Sequence, residues 1–303
     1  MNIVVTGSSG FLGRALAREL LSDGNKVYGI DIKEPEDINL IGHKDFECVP
    51  CDLSSEKDVN SAFEGLHAID LVFHTAAIQP VGSEMELSRY MNVNVQGAIN
   101  LLKACDKKNV RKIIVSSSFS VYGIPEYLPI DEIHPTKPNN AYGLSKLCAE
   151  NLFGYYARTK GFNIMLLRMD GIYGSNQTIP GMIEYLISAF KNGNDVELFN
   201  RGKQERDNVF VGNVVEAHIF AMKALGDEKW SILNIGGKEP KSSERTAEII
   251  KRVTKSASEI ILSEKGNPLV SYDIYMTSEK ATKVLGYQPT SLEDNLVKIL
   301  NEK

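Results

Sequence analysis

The sequence predicts an α/β fold: a doubly wound parallel sheet with a smaller α/β substrate-binding unit toward the C-terminal end. Three observations predict it. Over the first half, short apolar runs with no in/out alternation take turns with helix-like stretches, the pattern of strands covered on both faces. A turn with glycines at 7, 10 and 13 joins the first strand to the first helix. After Arg168 that regular alternation breaks into shorter, mixed pieces.

Taken in order, Ile3 to Thr6 reads as a strand, and Phe11 to Asp23 as a helix with Leu12, Ala15, Leu16 and Leu20 at helical spacing. Val27 to Asp31 and Phe46 to Val49 are strands, Glu56 to Phe63 a helix, and Leu71 to Thr75 a strand. Asn92 to Lys107 reads as one long helix, Lys112 to Ser116 as a fifth strand, and Ile164 to Arg168 as the strand after the helix that carries Tyr142. Right-handed crossovers between such strands wind the sheet in both directions from its middle. Downstream, Met182 to Lys191 is helical, Val196 to Phe199 a short strand, and Val209 to Val211 with Val214 to Leu225 a strand and helix. A strand at Leu233 to Ile235 and helices at Glu244 to Thr254, Ser278 to Leu285 and Leu292 to Leu300 complete the reading.

Thr6 to Gly13 reads TGSSGFLG. A tight turn, a close backbone approach to a pyrophosphate and close helix-on-strand packing each favour a residue without a Cβ. The helix start then offers free N–H groups and a positive dipole end to phosphates. Asp31 ends the second strand, where a carboxylate bonds ribose hydroxyls and repels a 2′-phosphate, so NAD is favoured over NADP; Lys33 tempers that preference. Asp52 and Leu53 follow the third strand, within reach of an adenine amino group. Asp52 is equally a candidate N-cap, with Ser54 and Ser55 as rivals.

Tyr142 and Lys146 lie four residues apart in NAYGLSKLCAE, on one face of a helix. Alone, such a pair is ordinary helix surface. A nearby ammonium lowers a phenol's pKa from its usual value near ~10, which is what a tyrosine base requires.

Composition excludes several classes. Formal net charge is -5 over 303 residues, with Lys and Arg scattered, which gives no reason to expect nucleic acid or anionic membrane. No apolar run spans a bilayer, and MNIVVTGSSG enters a strand at once with no secretory signal, so a cytoplasmic protein is expected. Cys48 and Cys51 form a lone CxxC without a second pair and are read as packing residues. The five histidines show no metal-ligand spacing, and no metal is expected.

With these pieces assembled, the chain resembles the extended short-chain dehydrogenase/reductase family, in its NAD-dependent nucleotide-sugar epimerase/dehydratase branch. The resemblance runs almost end to end. It rests on TGxxGxxG, Asp31, Asp52-Leu53, HTAA at His74 to Ala77, NVxG at Asn94 to Gly97, SSSFSVYG at Ser116 to Gly123, YxxxK, RMDGIYG at Arg168 to Gly174, and RDNVFV at Arg206 to Val211. It implies a Rossmann unit over residues 1–170, with 207–227 returning to it, and a substrate-binding unit from 171–206 and 228–303.

The resemblance also implies roles. Gly7, Ser9, Gly10, Phe11, Leu12, Gly13, Asp31, Ile32, Asp52, Leu53, Thr75, Ala76 and Ala77 would hold NAD, with Tyr142 and Lys146 at its nicotinamide end. Tyr142 would be the acid/base, Lys146 would hold the ribose and lower the Tyr142 pKa, Ser118 would bond the reacting oxygen, and Asn94 would support the site. Phe119, Gly171 and Arg206 join Ser118 and Tyr142 around a nucleotide sugar, with Arg206 on its diphosphate; a surface salt bridge is the competing account of Arg206. A homodimer through the helices at Asn92 to Lys107 and Tyr142 to Lys160 is implied too.

The departures narrow the chemistry. Dehydratases of the branch carry Thr-Asp-Glu where this chain has Ser118, Phe119 and Ser120, and decarboxylases place a glutamate at the Ser120 position. Epimerases that invert C3 and C5 need a cysteine that Ser120 does not supply. Plain hydride transfer remains. The asparagine usual in RxxNVYG is Gly171, and the aspartate expected after Arg206 is Asn213. The expectation is therefore a nucleotide-sugar 4-epimerase working through a transient 4-keto sugar. The alternatives are an NAD(P)-dependent sugar or alcohol dehydrogenase/reductase and, less favoured, a non-catalytic NAD sensor.

Overall fold

The computed structural model describes residues 1–80, 86–177, 179–226, 229–266 and 272–301. The expected boundary at 227/228 lies outside the described residues. The first half runs β1 (Asn2–Thr6), α1 (Phe11–Ser22), β2 (Lys26–Asp31), β3 (Phe46–Pro50), α2 (Glu56–Gly65), β4 (Leu71–His74), α3 (Leu87–Tyr90), a π-helical turn (Met91–Gln96), α4 (Gly97–Lys107) and β5 (Lys112–Ser118). A 3-10 turn (Phe119–Val121), α5 (Ala141–Lys160) and β6 (Asn163–Met169) follow. The second half is β7 (Ile172–Tyr173), α6 (Met182–Lys191), β8 (Val196–Leu198), β9 (Glu205–Arg206), β10 (Val209–Phe210), α7 (Val211–Ala224), β11 (Trp230–Ile235), β12 (Lys241–Ser242), α8 (Ser243–Thr254), β13 (Ile260–Leu262), α9 (Glu279–Leu285) and α10 (Leu292–Asn301).

Seven parallel strands form the main sheet in the order β11-β6-β5-β4-β1-β2-β3. Consecutive side chains along each strand feed opposite cores. Ile3, Val5, Phe73, Ile114 and Leu167 pack under α1, α7 and α9. Val4, Val72, Ile113, Val115 and Leu166 pack under α2, α4 and α5. This double burial is why the strands show no polar alternation. The order reverses between β1 and β4, which opens a crevice beyond their carboxyl ends.

Three expectations need correction. Trp230–Ile235 was placed in the smaller unit, yet it is the edge strand β11, parallel to β6. Its side chains reach both cores, Leu233 and Ile235 on one face and Trp230 and Ile232 on the other. The long helix expected from Asn92 is interrupted by the π-helical turn and begins upstream, at Leu87. The second half also holds two-residue strands, paired β10–β7 and β12–β9, that are too short to leave a periodic trace. A separate apolar cluster of Ile183, Leu186, Phe190, Val196, Ile249 and Leu296 binds α6, α8 and α10 together.

Candidate active site

The glycine turn has the geometry its sequence asks for. Gly7 lies at φ +73°, and its N–H donates to the Ile30 carbonyl at 2.7 Å. A Cβ on Gly7 would come 2.7 Å from the Ala76 backbone, and one on Gly13 would run into the Gly7 carbonyl. Gly10 meets only the Gly7 carbonyl oxygen, at 3.1 Å, and caps α1 with no side chain of its own. The backbone there is open to an incoming phosphate, in front of the α1 start.

Asp31 is tied to this turn. Its Oδ2 accepts from Ser9 N at 3.0 Å and its Oδ1 from Lys33 N at 3.1 Å. Two backbone donors fix the carboxylate and leave lone pairs for ribose hydroxyls. On the far wall Thr75 Oγ1 donates to Thr6 O at 2.6 Å and Ala76 N to Thr6 Oγ1 at 3.3 Å, with Ala77 next in the chain. Leu12 turns into the core, Phe11 lies beneath Arg14, and Ile32 is exposed. Asp52 is not the cap of α2: Ser55 is, accepting from Asp58 N. Asp52 instead accepts from Ser54 N and Oγ at 2.8 and 2.7 Å, while Leu53 is buried against Gly97. Glycines that a Cβ would obstruct, an open helix start and a fixed carboxylate together fit a dinucleotide.

The second cluster is built on α5. Asn140 caps it, accepting from Gly143 N at 2.7 Å. A Cβ on Gly143 would collide with the Ser120 carbonyl, so glycine lets the first turn of α5 close on the turn after β5. That closeness brings the Tyr142 phenol beside the Ser118 hydroxyl. Ser118 Oγ lies 3.1 Å from Ser120 Oγ and accepts from Ser120 N. Phe119 packs on the cluster of Val121, Tyr122 and Ile130.

Asn94, in the π-helical turn, ties this cluster to the cofactor wall. Its Oδ1 accepts from Ile78 N at 2.8 Å, and its Nδ2 donates to Ser145 Oγ at 2.9 Å. Ser145 Oγ donates in turn to Tyr142 O at 2.7 Å. The wider turn aims Asn94 inward, a recurrent use of such turns at functional sites.

Burial pushes the Tyr142 phenol up to about 12; the nearby Ser118 hydroxyl opposes the rise and Tyr90, 6.1 Å away ring to ring, adds to it. The Lys146 ammonium lies on the end of β5 and donates to Ser116 O at 2.7 Å. Burial brings Lys146 itself down to about 8, against the pull of Glu150.

Sequence reasoning passed over the support beneath. Arg168 Nε and Nη2 bond both Glu150 oxygens, at 3.0 and 2.6 Å, with the two side chains 4% and 5% exposed. Ser117 Oγ donates to Glu150 at 2.6 Å, and Arg168 Nη1 to Tyr122 OH at 3.0 Å. Tyr122 then donates to Asn234 of β11 at 2.6 Å. The available signal was spacing: Tyr142, Lys146 and Glu150 recur every four residues on one helix face.

Arg206 and Gly171 fall in a third group, on the smaller unit. Arg206 makes no ion pair among the described residues, so the salt-bridge account fails. Its Nη1 donates to Tyr272 O at 2.7 Å, while Nη2 is buried with no partner. Arg206, Asn208, Tyr173, Lys238 and Lys241 line one polar pocket. Nearby, burial and the adjacent Asp170 push Asp207 up to about 7, and burial pushes Asp170 up to about 6.

A family model described as the NAD dependent epimerase/dehydratase family matches residues 3–236. The chain belongs to that family. Among curated relatives, the UDP-glucose 4-epimerase of Corynebacterium glutamicum is 29% identical over 310 residues, covering 95% of this chain and 91% of that one. Among solved structures, the UDP-glucose 4-epimerase of Thermotoga maritima with UDP-glucose superposes with a TM-score of 0.88 at 28% identity, covering 99% and 97%. The UDP-glucuronic acid 4-epimerase of Bacillus cereus, with UDP-glucuronic acid and NAD, gives 0.85 at 27%, covering 99% and 98%. NAD is thus the cofactor of this family, in accord with Asp31, and the chain is an enzyme of the extended short-chain dehydrogenase/reductase type. No helix among the described residues is long and apolar enough to cross a membrane.

Proposed function

We propose that the protein is an NAD-dependent 4-epimerase of a nucleotide sugar. The observation that carries the reading is Ser118 set beside the buried Tyr142 phenol, with Phe119 and Ser120 next to it in place of any further acid or base. Gly7, Gly10, Gly13 and the α1 start would hold the NAD pyrophosphate, Asp31 its adenosine ribose, and Thr75 to Ala77 its inner wall. Bound NAD supplies the acceptor and donor of hydride. Tyr142 takes the proton of the C4 hydroxyl and later returns it, while Ser118 fixes that oxygen. Lys146, on α5 with its ammonium beside the Ser116 carbonyl, binds the cofactor ribose. Burial raises the Tyr142 phenol, and positive charge brought near it would favour the phenolate.

Arg206 grips the diphosphate, for which its unpartnered Nη2 is suited. We assign residues 1–170 together with α7 and β11 to the NAD-binding unit, and the rest to substrate binding. We also infer a cytoplasmic homodimer paired through α4 and α5; Leu144 and Tyr155, apolar and exposed on α5, support that face.

The test is to incubate purified protein, with no cofactor added, with UDP-, GDP-, CDP- and dTDP-sugars and read products by NMR. Redox-neutral interconversion at C4 is expected. Net accumulation of NADH would instead identify a dehydrogenase.

A further inference from the structure

We propose that Asn208 is a substrate-binding residue of the Arg206 pocket, and that glycine at 171 leaves its amide undisturbed. The inference rests on the nucleotide-sugar reading above and deepens it.

Gly171 and Asn208 are neighbours across the β7–β10 pair. Val209 N donates to Gly171 O at 3.2 Å, and Val209 is in register with Ile172. A Cβ on Gly171 would come 2.7 Å from Asn208 Oδ1 and 3.8 Å from Asn208 Cγ. The Asn208 side chain therefore lies with its oxygen over Gly171, and its Nδ2 end is turned away. A Cβ at position 171 would push this amide end aside.

Asn208 and Arg206 line the same pocket. Three cations face it, Arg206, Lys238 and Lys241, and the acid Glu239 is engaged with Lys241 at 2.7 Å. Arg206 Nη2 is buried there without a partner. A pocket with this balance takes an anionic group, and an amide N–H beside the guanidinium adds a directed donor to a charge-assisted set. The amide expected at position 171 is thus delivered from the opposite strand. The ligand class is the diphosphate of a nucleoside diphosphate sugar.

The test combines calorimetric titration of UDP and the preferred nucleotide sugar with steady-state kinetics. It uses the holoenzyme and four variants: Asn208→Ala, Asn208→Gly, Gly171→Ala and the double variant Gly171→Ala/Asn208→Gly. Asn208→Ala weakens UDP binding roughly tenfold, the loss of one hydrogen bond to a charged group. KM rises while kcat holds, because the contact is made equally in ground and transition states. Gly171→Ala alone weakens binding by displacing the amide, yet costs nothing further in the Asn208→Gly background. Retained NAD confirms that each variant is folded. Unchanged UDP affinity in Asn208→Ala, or an equal cost of Gly171→Ala in both backgrounds, overturns the assignment alone. A wild-type protein that binds none of the UDP-, GDP-, CDP- or dTDP-sugars overturns the nucleotide-sugar reading, and this assignment with it.

Discussion

Glu150→Gln removes one charge and almost no volume from the floor of the site. Glu150 accepts from both ends of the Arg168 guanidinium and from Ser117, and both ionic side chains are nearly inaccessible. Neutralising one partner strands a buried cation, at a cost of about 3–5 kcal/mol. For a chain of this size, that lowers the melting midpoint by roughly 5–8 °C. A second effect follows through Lys146, which Glu150 holds up against burial. Without Glu150 its pKa falls below about 8. Lys146 in the fold titrates below its ordinary 10.5, so its charge opposes folding at low pH. Stability is gained as pH rises from the folded pKa toward the unfolded one, and in the variant that gain begins at lower pH. Thermal melts from pH 6 to 10 read both effects. Replacing both partners by apolar residues, Glu150→Leu with Arg168→Met, should cost less than Glu150→Gln alone, since no charge is left uncompensated. A midpoint within ~2 °C of wild type for Glu150→Gln would refute the argument, because buried pairs broken on one side do not come free.

Three further outcomes are expected. Tyr142→Phe should cut turnover by roughly 10²–10⁴, the worth of a positioned acid/base, while NAD released on denaturation stays at the wild-type amount; retained activity would remove Tyr142 from the proposed role. Gly13→Ala should purify with little NAD, because its Cβ cannot coexist with the Gly7 carbonyl, and a full complement of released NAD would contradict the turn's assignment. Asp207→Asn addresses a buried carboxylate whose Oδ1 has no partner and whose folded pKa of about 7 exceeds the ordinary 3.8. The native state keeps that proton while the unfolded state loses it, so wild-type stability declines as pH rises across this window. Calorimetry should show a flatter profile between pH 5 and 8 and a higher midpoint at pH 8 in the variant; an unchanged slope would show that Asp207 is not the group responsible.

Much of the sheet was legible because burial on both faces writes an unbroken apolar run, as in β1, β4 and β6; β3 is interrupted by the exposed Glu47. The glycine turn was legible for a related reason: backbone contacts at Gly7 and Gly13 exclude every other residue. β11 was misassigned because nothing in a strand's composition states which neighbour it will pair with. β7, β9, β10 and β12 each contain two residues, and two residues have no period. Arg168 was read as the tail of an apolar strand; its partner comes from a helix 18 positions earlier, and single-sequence spacing does not report such pairings. The four-residue spacing puts Lys146 on the correct face, but the direction of its ammonium is set by the Ser116 carbonyl.

The π-helical turn at Met91–Gln96 has a consequence for how this chain tolerates change in length. A π turn holds one more residue than an α turn, so the helix segments on either side are out of phase by about one residue's rotation, ~100°. Deleting a single residue between 91 and 96 would restore uninterrupted α-helical hydrogen bonding and improve the local backbone. It would also swing α3 around the axis, carrying Tyr90 away from Tyr142 and Asn94 away from Ile78 and Ser145. A sequence change that favours the helix as a helix would thus dismantle the joint between the cofactor wall and the proton-transfer pair. Length at this point is under stricter constraint than side-chain identity.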